Sequence, residues 1–235
     1  MAAGQTATLS RRETAKAERR QRIVEAAGAL VREQGYDAVS MVQIAERAEV
    51  SPATLYNLFQ TKSAIFQRVF DLDLEDYLHQ LAGMPVSGAL ERLYAAIDLA
   101  AQRCSNDPDF YRAMTRAGDS RNDGLGLAIG RPRRAFWRAE VETAIKEGYL
   151  RAETDADLLS RTLARFMRSV FLEWSAHLIP AKQLPKEAAY GFTLALLPYS
   201  TRKSGPALKS RLADLEAILT APCGKSSKTK VKGAK

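Results

Sequence analysis

Apolar positions in the first third of the chain recur at three- and four-residue intervals, in short bursts divided by strong punctuation. Ile23, Ala26, Ala27, Leu30 and Val31 form the first burst, the mark of an amphipathic helix. Gly35 follows, and glycine takes the left-handed conformation that closes helices without a steric penalty. Ser40-Met41-Val42-Gln43 reads as a capping box, in which hydroxyl and amide satisfy the free N–H groups of a new helix. Ser51-Pro52 repeats the start signal, with an N-cap followed by proline at the first helical position. Thr61 is a third N-cap candidate. The spacing predicts a second helix over 41–48, a turn at Glu49-Val50 and a third helix over 52–58, with Ile44, Ala45, Ala48, Val50 and Leu55 packing them together. Ser51, Pro52, Ala53, Tyr56 and Asn57 are left on or near the exposed N-terminal part of the third helix. Small and polar groups there can approach base edges in a major groove. An ordinary helical hairpin, with the caps only caps, is the alternative on pattern alone.

The helical pattern continues to the end of the second domain. A fourth helix runs to about residue 81, before Gly83-Met84-Pro85. Ser87 is expected to cap a fifth to about 104, and Pro108 opens a sixth that fades by 118. Four glycines and a proline make 118–132 a loop. Helices follow over about 133–147, 156–179 (capped by Thr154 or Asp155), 186–202 and 206–219. No sustained alternation of a strand appears. The fold class is all-α: a three-helix helix-turn-helix head joined to a larger helical domain.

At 235 residues and 46% apolar content, the chain has room for a head and one larger core. The net charge of +8 sits at the ends: +4 in residues 1–22 and +5 in 223–235, leaving −1 between. The expected division is a basic flexible arm over 1–18, the head over 19–66, the second domain over 67–222 and a disordered basic tail over 223–235. The arm can neutralise phosphates or enter a minor groove; alternatively, residues from Glu13 onward simply extend the first helix. The tail can add non-specific affinity or serve only solubility. No membrane-length apolar run occurs. Cys104 and Cys223 are read as reduced thiols rather than a disulfide framework, as suits a cytoplasmic, nucleoid-associated protein.

The run GYDAVSMVQIAERAEVSPATLYNLFQTKSAIF resembles the N-terminal domain of TetR-type transcriptional regulators. Gly35-Tyr36, Ser40, Ile44-Ala45, Ala48, Val50-Ser51, Thr54-Leu55-Tyr56, Phe59 and Lys62 carry the resemblance. It implies phosphate contacts from Thr54, Tyr56 and Lys62, and base or sugar contacts from Pro52, Ala53 and Asn57. Ser40, Gln43 and Ser51 complete the candidate DNA-binding set. Two departures stand out. Glu49 occupies the turn where glycine is common, which costs about 1 kcal/mol if the position is left-handed. The reading helix also has no Arg, Lys or Gln, so specificity would lean on Asn57, thymine methyls and DNA shape.

The resemblance further implies a homodimer on a palindromic operator, paired through the last two long helices. Leu159, Leu163, Val170, His177, Ala189, Phe192 and Leu196 are the candidate interface, unless both stripes are protomer core. A switch would need a small, hydrophobic effector in the second domain. Phe110, Tyr111, Met114, Phe136, Trp137, Phe166, Met167, Phe171 and Trp174 are candidate lining residues, with at most a third expected to touch a ligand. Arg112, Arg116, Arg134 and Arg138 could pair an anionic group, although solvated faces are their default. The run Asp71-Leu72-Asp73-Leu74-Glu75-Asp76 is expected to be a solvated face. His79 and His177 share no metal-ligand spacing with cysteine or carboxylate, and no nucleophile elbow or phosphate loop occurs. No catalytic residue, metal or cofactor is expected. The expected function is a DNA-binding repressor; an architectural or partner-controlled DNA-binding protein without an effector is the alternative.

Overall fold

The computed structural model describes residues 11–119 and 124–221. Among them are ten α-helices: α1 (Arg11–Gln34), α2 (Met41–Arg47), α3 (Pro52–Leu58), α4 (Lys62–Ala82), α5 (Ala89–Asn106), α6 (Pro108–Asp119), α7 (Leu125–Lys146), α8 (Ala156–Ser175), α9 (Leu184–Leu196) and α10 (Gly205–Thr220). A 3-10 turn, Leu197–Tyr199, and one antiparallel bridge between Leu150 and Ser200 complete the regular structure. The all-α expectation holds.

Local punctuation acts as the sequence indicates. Gly35 lies at φ 79° and closes α1 through its N–H to Val31 O. Ser40 and Gln43 form the reciprocal capping box of α2. Ser51 accepts from the Thr54 N–H at the start of α3, and Thr61 from Ala64 at the start of α4. Asp155, not Thr154, caps α8.

Four expectations give way to longer-range forces. Residues 11–18, assigned to a flexible arm, are the first two turns of α1; residues 1–10 and the basic tail over 223–235 lie outside the described residues. Ser87 does not cap α5. Its first N–H, on Ala89, is met instead by the Glu147 carboxylate at 2.8 Å. The loop expected over 118–132 is helical from Leu125 onward despite Pro132. Leu125 and Ile129 are buried in the core around the head, and that burial outweighs the loss of one backbone hydrogen bond at proline. The helix expected to reach 179 stops at Ser175, where His177 takes a left-handed φ of 61° and the Leu178 N–H returns to Glu173 O.

Two apolar clusters organise the molecule. One joins α1–α4 to Phe110, Met114 and Ala117 of α6 and to Leu125 and Ile129 of α7. The core of the head therefore extends past residue 66. The other packs α5 against α7, α8, α9 and α10, with Trp174, Phe192, Leu93 and Ile97 fully buried. α4 is common ground: Phe66, Val69 and Phe70 belong to the first cluster, Tyr77 and Leu81 to the second.

Candidate functional site

α2 and α3 form a bent pair held by Ile44, Ala45, Ala48 and Leu55, all buried. Glu49 makes the bend at φ 52°, so the turn does use the left-handed conformation without glycine. Its carboxylate is largely open to solvent and lies 3.9 Å from the Arg22 guanidinium of α1. On the outer side of α3, Pro52, Ala53, Tyr56 and Asn57 are exposed, Tyr56 by 51%. A large half-open phenol beside an amide is unusual on a plain packing helix and suits contact with a polar groove. Asn57 makes no side-chain hydrogen bond among the described residues.

Other candidate contacts are tied into the scaffold. Ser51 and Thr54 share their hydroxyls at 2.9 Å, and Gln43 accepts from both the Ser40 N–H and its hydroxyl. The Lys62 ammonium donates to Tyr36 O at 2.8 Å and Val39 O at 3.0 Å, and lies 4.2 Å from the Tyr36 ring centre. It clamps the α1–α2 connection onto the start of α4. Arg20, counted with the basic N-terminal segment, donates to Leu58 O at 2.9 Å and sits over the Phe59 ring. That contact braces the C-terminal end of α3 from α1.

Behind the head lies a cavity of about 100 Å³. α4 contributes Phe70, Asp73, Leu74 and Tyr77; α5 adds Ala100 and Arg103; α6 adds Tyr111. Arg133, Phe136 and Trp137 of α7 face Ala164, Met167, Arg168 and Phe171 of α8. Of the candidate lining residues, Tyr111, Phe136, Trp137, Met167 and Phe171 border this cavity. Phe110 and Met114 do not, being buried against the head; Trp174 is in the main core, with Arg112 over its ring. Phe166 lies across Gly191 of α9, where any Cβ would collide with the ring.

The acidic run expected to be a solvated face instead turns Asp73 and Leu74 into the cavity wall, beside Ala100 and Arg103 of α5. Asp73 accepts from Arg103 Nη2 and from the Tyr111 hydroxyl, both at 2.6 Å. Arg103 also donates to the Tyr111 oxygen at 2.7 Å and to Asp76 at 2.7 Å. Burial opposes the charge on Arg103, but these hydrogen bonds outweigh it and hold its pKa above the ordinary value. Burial, reinforced by Asp73, raises the Tyr111 pKa. The Arg103 contact with Asp76 lowers the pKa of that carboxyl.

A second, more polar cleft of about 430 Å³ separates the end of α1 from α6. Arg32 pairs there with Asp107 at 2.6 Å and Arg116 with Ser175 O at 2.7 Å, while Arg112 lies over the Trp174 ring with its Nε buried and without a hydrogen-bond partner among the described residues. Arg134 and Arg138 are exposed, and Arg138 pairs with Glu142 at 2.8 Å. No group of three potential metal ligands occurs among the described residues, and no described helix is long and apolar enough to cross a membrane.

The expected interface needs correction. Leu159, Leu163, Val170, Ala189, Phe192 and Leu196 are buried within the protomer, because they close α8 and α9 onto α5 and α7. His177 is exposed in the turn after α8. The outward sides of α8 and α9 carry Leu158, Thr162, Arg165 and Leu194 instead, with Leu158 and Leu194 nearly half exposed.

Residues 23–69 match the family model described as bacterial regulatory proteins, tetR family. The chain is 35% identical over 103 residues to the HTH-type transcriptional repressor KstR of Rhodococcus jostii, covering 44% of this chain and 49% of that protein. It is 36% identical over 108 residues to KstR of Mycolicibacterium smegmatis, with 44% and 52% covered. The matches therefore span about half the length of these relatives. Among solved structures, FadR of Thermus thermophilus in complex with lauroyl-CoA superposes with a TM-score of 0.66 at 22% identity, covering 78% of this chain and 96% of that one. FadR of Bacillus subtilis in complex with stearoyl-CoA gives 0.62 at 17%, with 75% and 97% covered. At such identities the likeness establishes the fold.

Proposed function

We propose that this chain, whose residues 23–69 match the tetR family of bacterial regulatory proteins, is a homodimeric repressor released from a palindromic operator by a small, mostly apolar effector. The observation that carries the reading is the double use of α4. Its first turn clamps the head through Lys62, and Phe70, two turns on, is shared between the core of the head and the cavity wall. Asp73, Leu74 and Tyr77 continue that wall. At about 100 Å³ the cavity is smaller than the roughly 300–1,000 Å³ of a ligand pocket. A ligand of that class must part the helices around it, and α4 cannot move without its clamp. Release requires that the effector prefer the displaced arrangement; a tenfold loss of operator affinity corresponds to about 1.4 kcal/mol of coupling.

In this reading Pro52, Ala53 and Asn57 meet bases or sugars, while Tyr56 and Thr54 meet phosphates. Ser40, Gln43 and Ser51 hold the helices at the groove, and Lys62 adds charge nearby. One seven-residue helix reads few base pairs, so two heads on a two-fold axis are needed, with half-sites about 34–36 Å apart per helical turn. The outward sides of α8 and α9 are the proposed pairing surface. The KstR relatives are described as repressors, and the FadR neighbours hold acyl-CoA molecules within the same fold. The first supports the class of activity and the second the class of effector.

Selection from a random duplex pool, followed by titration of the winner across a salt series, tests the proposal. An enriched palindrome is the expected outcome. Uniform, steeply salt-dependent binding to every duplex would replace it with an architectural role.

A further inference from the structure

We propose that the cavity accepts an amphipathic anion, an apolar body carrying one carboxylate or phosphate, with the anion seated on the Arg133 guanidinium. The proposal deepens the effector-release reading and rests on it for its regulatory meaning. Three guanidiniums and one carboxylate line the cavity. Arg103 is spent on Asp73, Asp76 and the Tyr111 hydroxyl. Arg168 is spent on Asp119. Arg133 is different. Among the described residues no carboxylate reaches it at ion-pairing distance, and its neighbour is the Phe70 ring, 4.8 Å from the guanidinium carbon.

Burial lowers the Arg133 pKa, with Asp73 pulling the other way. Arginine nevertheless stays protonated at neutral pH, because its intrinsic value lies so far above it. The walls thus carry one positive charge more than they neutralise, in a setting where an uncompensated charge is costly. A planar guanidinium matches a carboxylate or phosphate in two parallel hydrogen bonds. Around it, Leu74, Phe136, Trp137, Met167 and Phe171 offer an apolar lining that suits a hydrocarbon body. As it stands, the cavity has room for the head group and a few carbons.

Octanoate, 1-octanol and octanoyl-CoA, titrated into the full chain and followed by calorimetry, test the inference. Octanoate is expected to bind about tenfold or more tightly than octanol. Arg133→Met and Arg133→Gln should abolish that preference, and Arg133→Lys should restore part of it. Octanoyl-CoA binding more tightly than octanoate, with the same dependence on Arg133, assigns the anion to the phosphates of a conjugate; weaker binding assigns it to the free acid. Equal binding of octanol and octanoate overturns the proposal. So does a preference that survives both substitutions, or binding by none of the three at millimolar concentration. Operator affinity is read separately. If octanoate binds through Arg133 and leaves operator affinity unchanged, the anion site stands and effector release falls. If octanol releases the operator as well as octanoate does, release stands and the anion site falls.

Discussion

Lys62 separates two physical roles that the sequence merges. Lys62→Met keeps the length and apolar stem of the side chain and removes the ammonium. Two carbonyls, Tyr36 O and Val39 O, then lose a charged donor at 2.8 and 3.0 Å, and the Tyr36 ring loses its cation. A hydrogen bond to a charged group contributes about 1.5–3 kcal/mol when buried. This site is half-buried, so about 1 kcal/mol per bond is the appropriate scale, with ~0.5–1 for the ring contact. The sum is about 2.5–3 kcal/mol, which for a chain of this size lowers the melting temperature by roughly 5–12 °C. Urea denaturation at fixed protein concentration reads the loss without confusion from dimer dissociation. Operator binding across a salt series reads the other role: one phosphate contact removed flattens the log–log slope by about 0.9. Tyr56→Ala, at an exposed position, is the control, weakening DNA binding with little change in stability. An unchanged denaturation midpoint for Lys62→Met, together with a flattened salt slope, would refute the clamp and return Lys62 to a phosphate contact alone.

Asn57→Ala should change which operators are preferred, whereas Tyr56→Ala weakens all of them alike; a second selection with each variant checks the difference. Gly191→Ala places a methyl group into the Phe166 ring, and overpacking of that kind costs about 1–3 kcal/mol, visible as a lower denaturation midpoint. The Cys104 thiol is buried, and burial pushes its pKa up to about 12. Iodoacetamide at pH 8 should therefore leave it unmodified in the folded chain and alkylate it in denaturant, as peptide mass analysis would show. Leu194→Glu puts a charge on the proposed pairing surface; sedimentation should report a shift from dimer to monomer with the helical content retained.

What was legible in the sequence had causes within a few residues. Ser40, Ser51, Thr61 and Asp155 cap because each hydroxyl or carboxylate reaches an N–H three positions on. Gly35 ends a helix for a reason that resides in its own backbone. What was illegible has partners far along the chain. Ser87 is a good local candidate for a cap, but Glu147, 58 residues away, reaches Ala89 instead. Asp73 looks solvated beside its acidic neighbours until α5 brings Arg103 to it from 30 residues on. The stripe on α8 was visible as apolar, yet periodicity cannot say whether a stripe meets its own core or a partner's. Arg133, unlike Arg134 and Arg138, shares a helical face with both aromatic residues of α7. Phe136 and Trp137 lie three and four positions beyond Arg133, so all three share one helical face.

The same arithmetic explains why the head cannot ignore the cavity. On α4, Phe70 packs into the head, and Asp73, three positions on, lines the cavity. On α6, Phe110 faces the head while its neighbour Tyr111 meets the cavity, their rings in edge contact at 5.1 Å. On α7, Ile129 is in the core of the head and Arg133, one turn later, lines the cavity. Three helices therefore form a common wall rather than one acting as a lever. Close-packed interiors transmit displacement because they have no slack to absorb it. On the proposed reading, a ligand that opened this wall would shift side chains belonging to the head on all three helices. Lys62 on α4 ties the wall to the α1–α2 connection, and Arg32 on α1, paired with Asp107 at the foot of α6, ties it to α1. The loop signal of 118–132 fails from Leu125 onward for the same reason: Leu125 and Ile129 are buried in that shared wall, and their burial outweighs Gly126, Gly130 and Pro132.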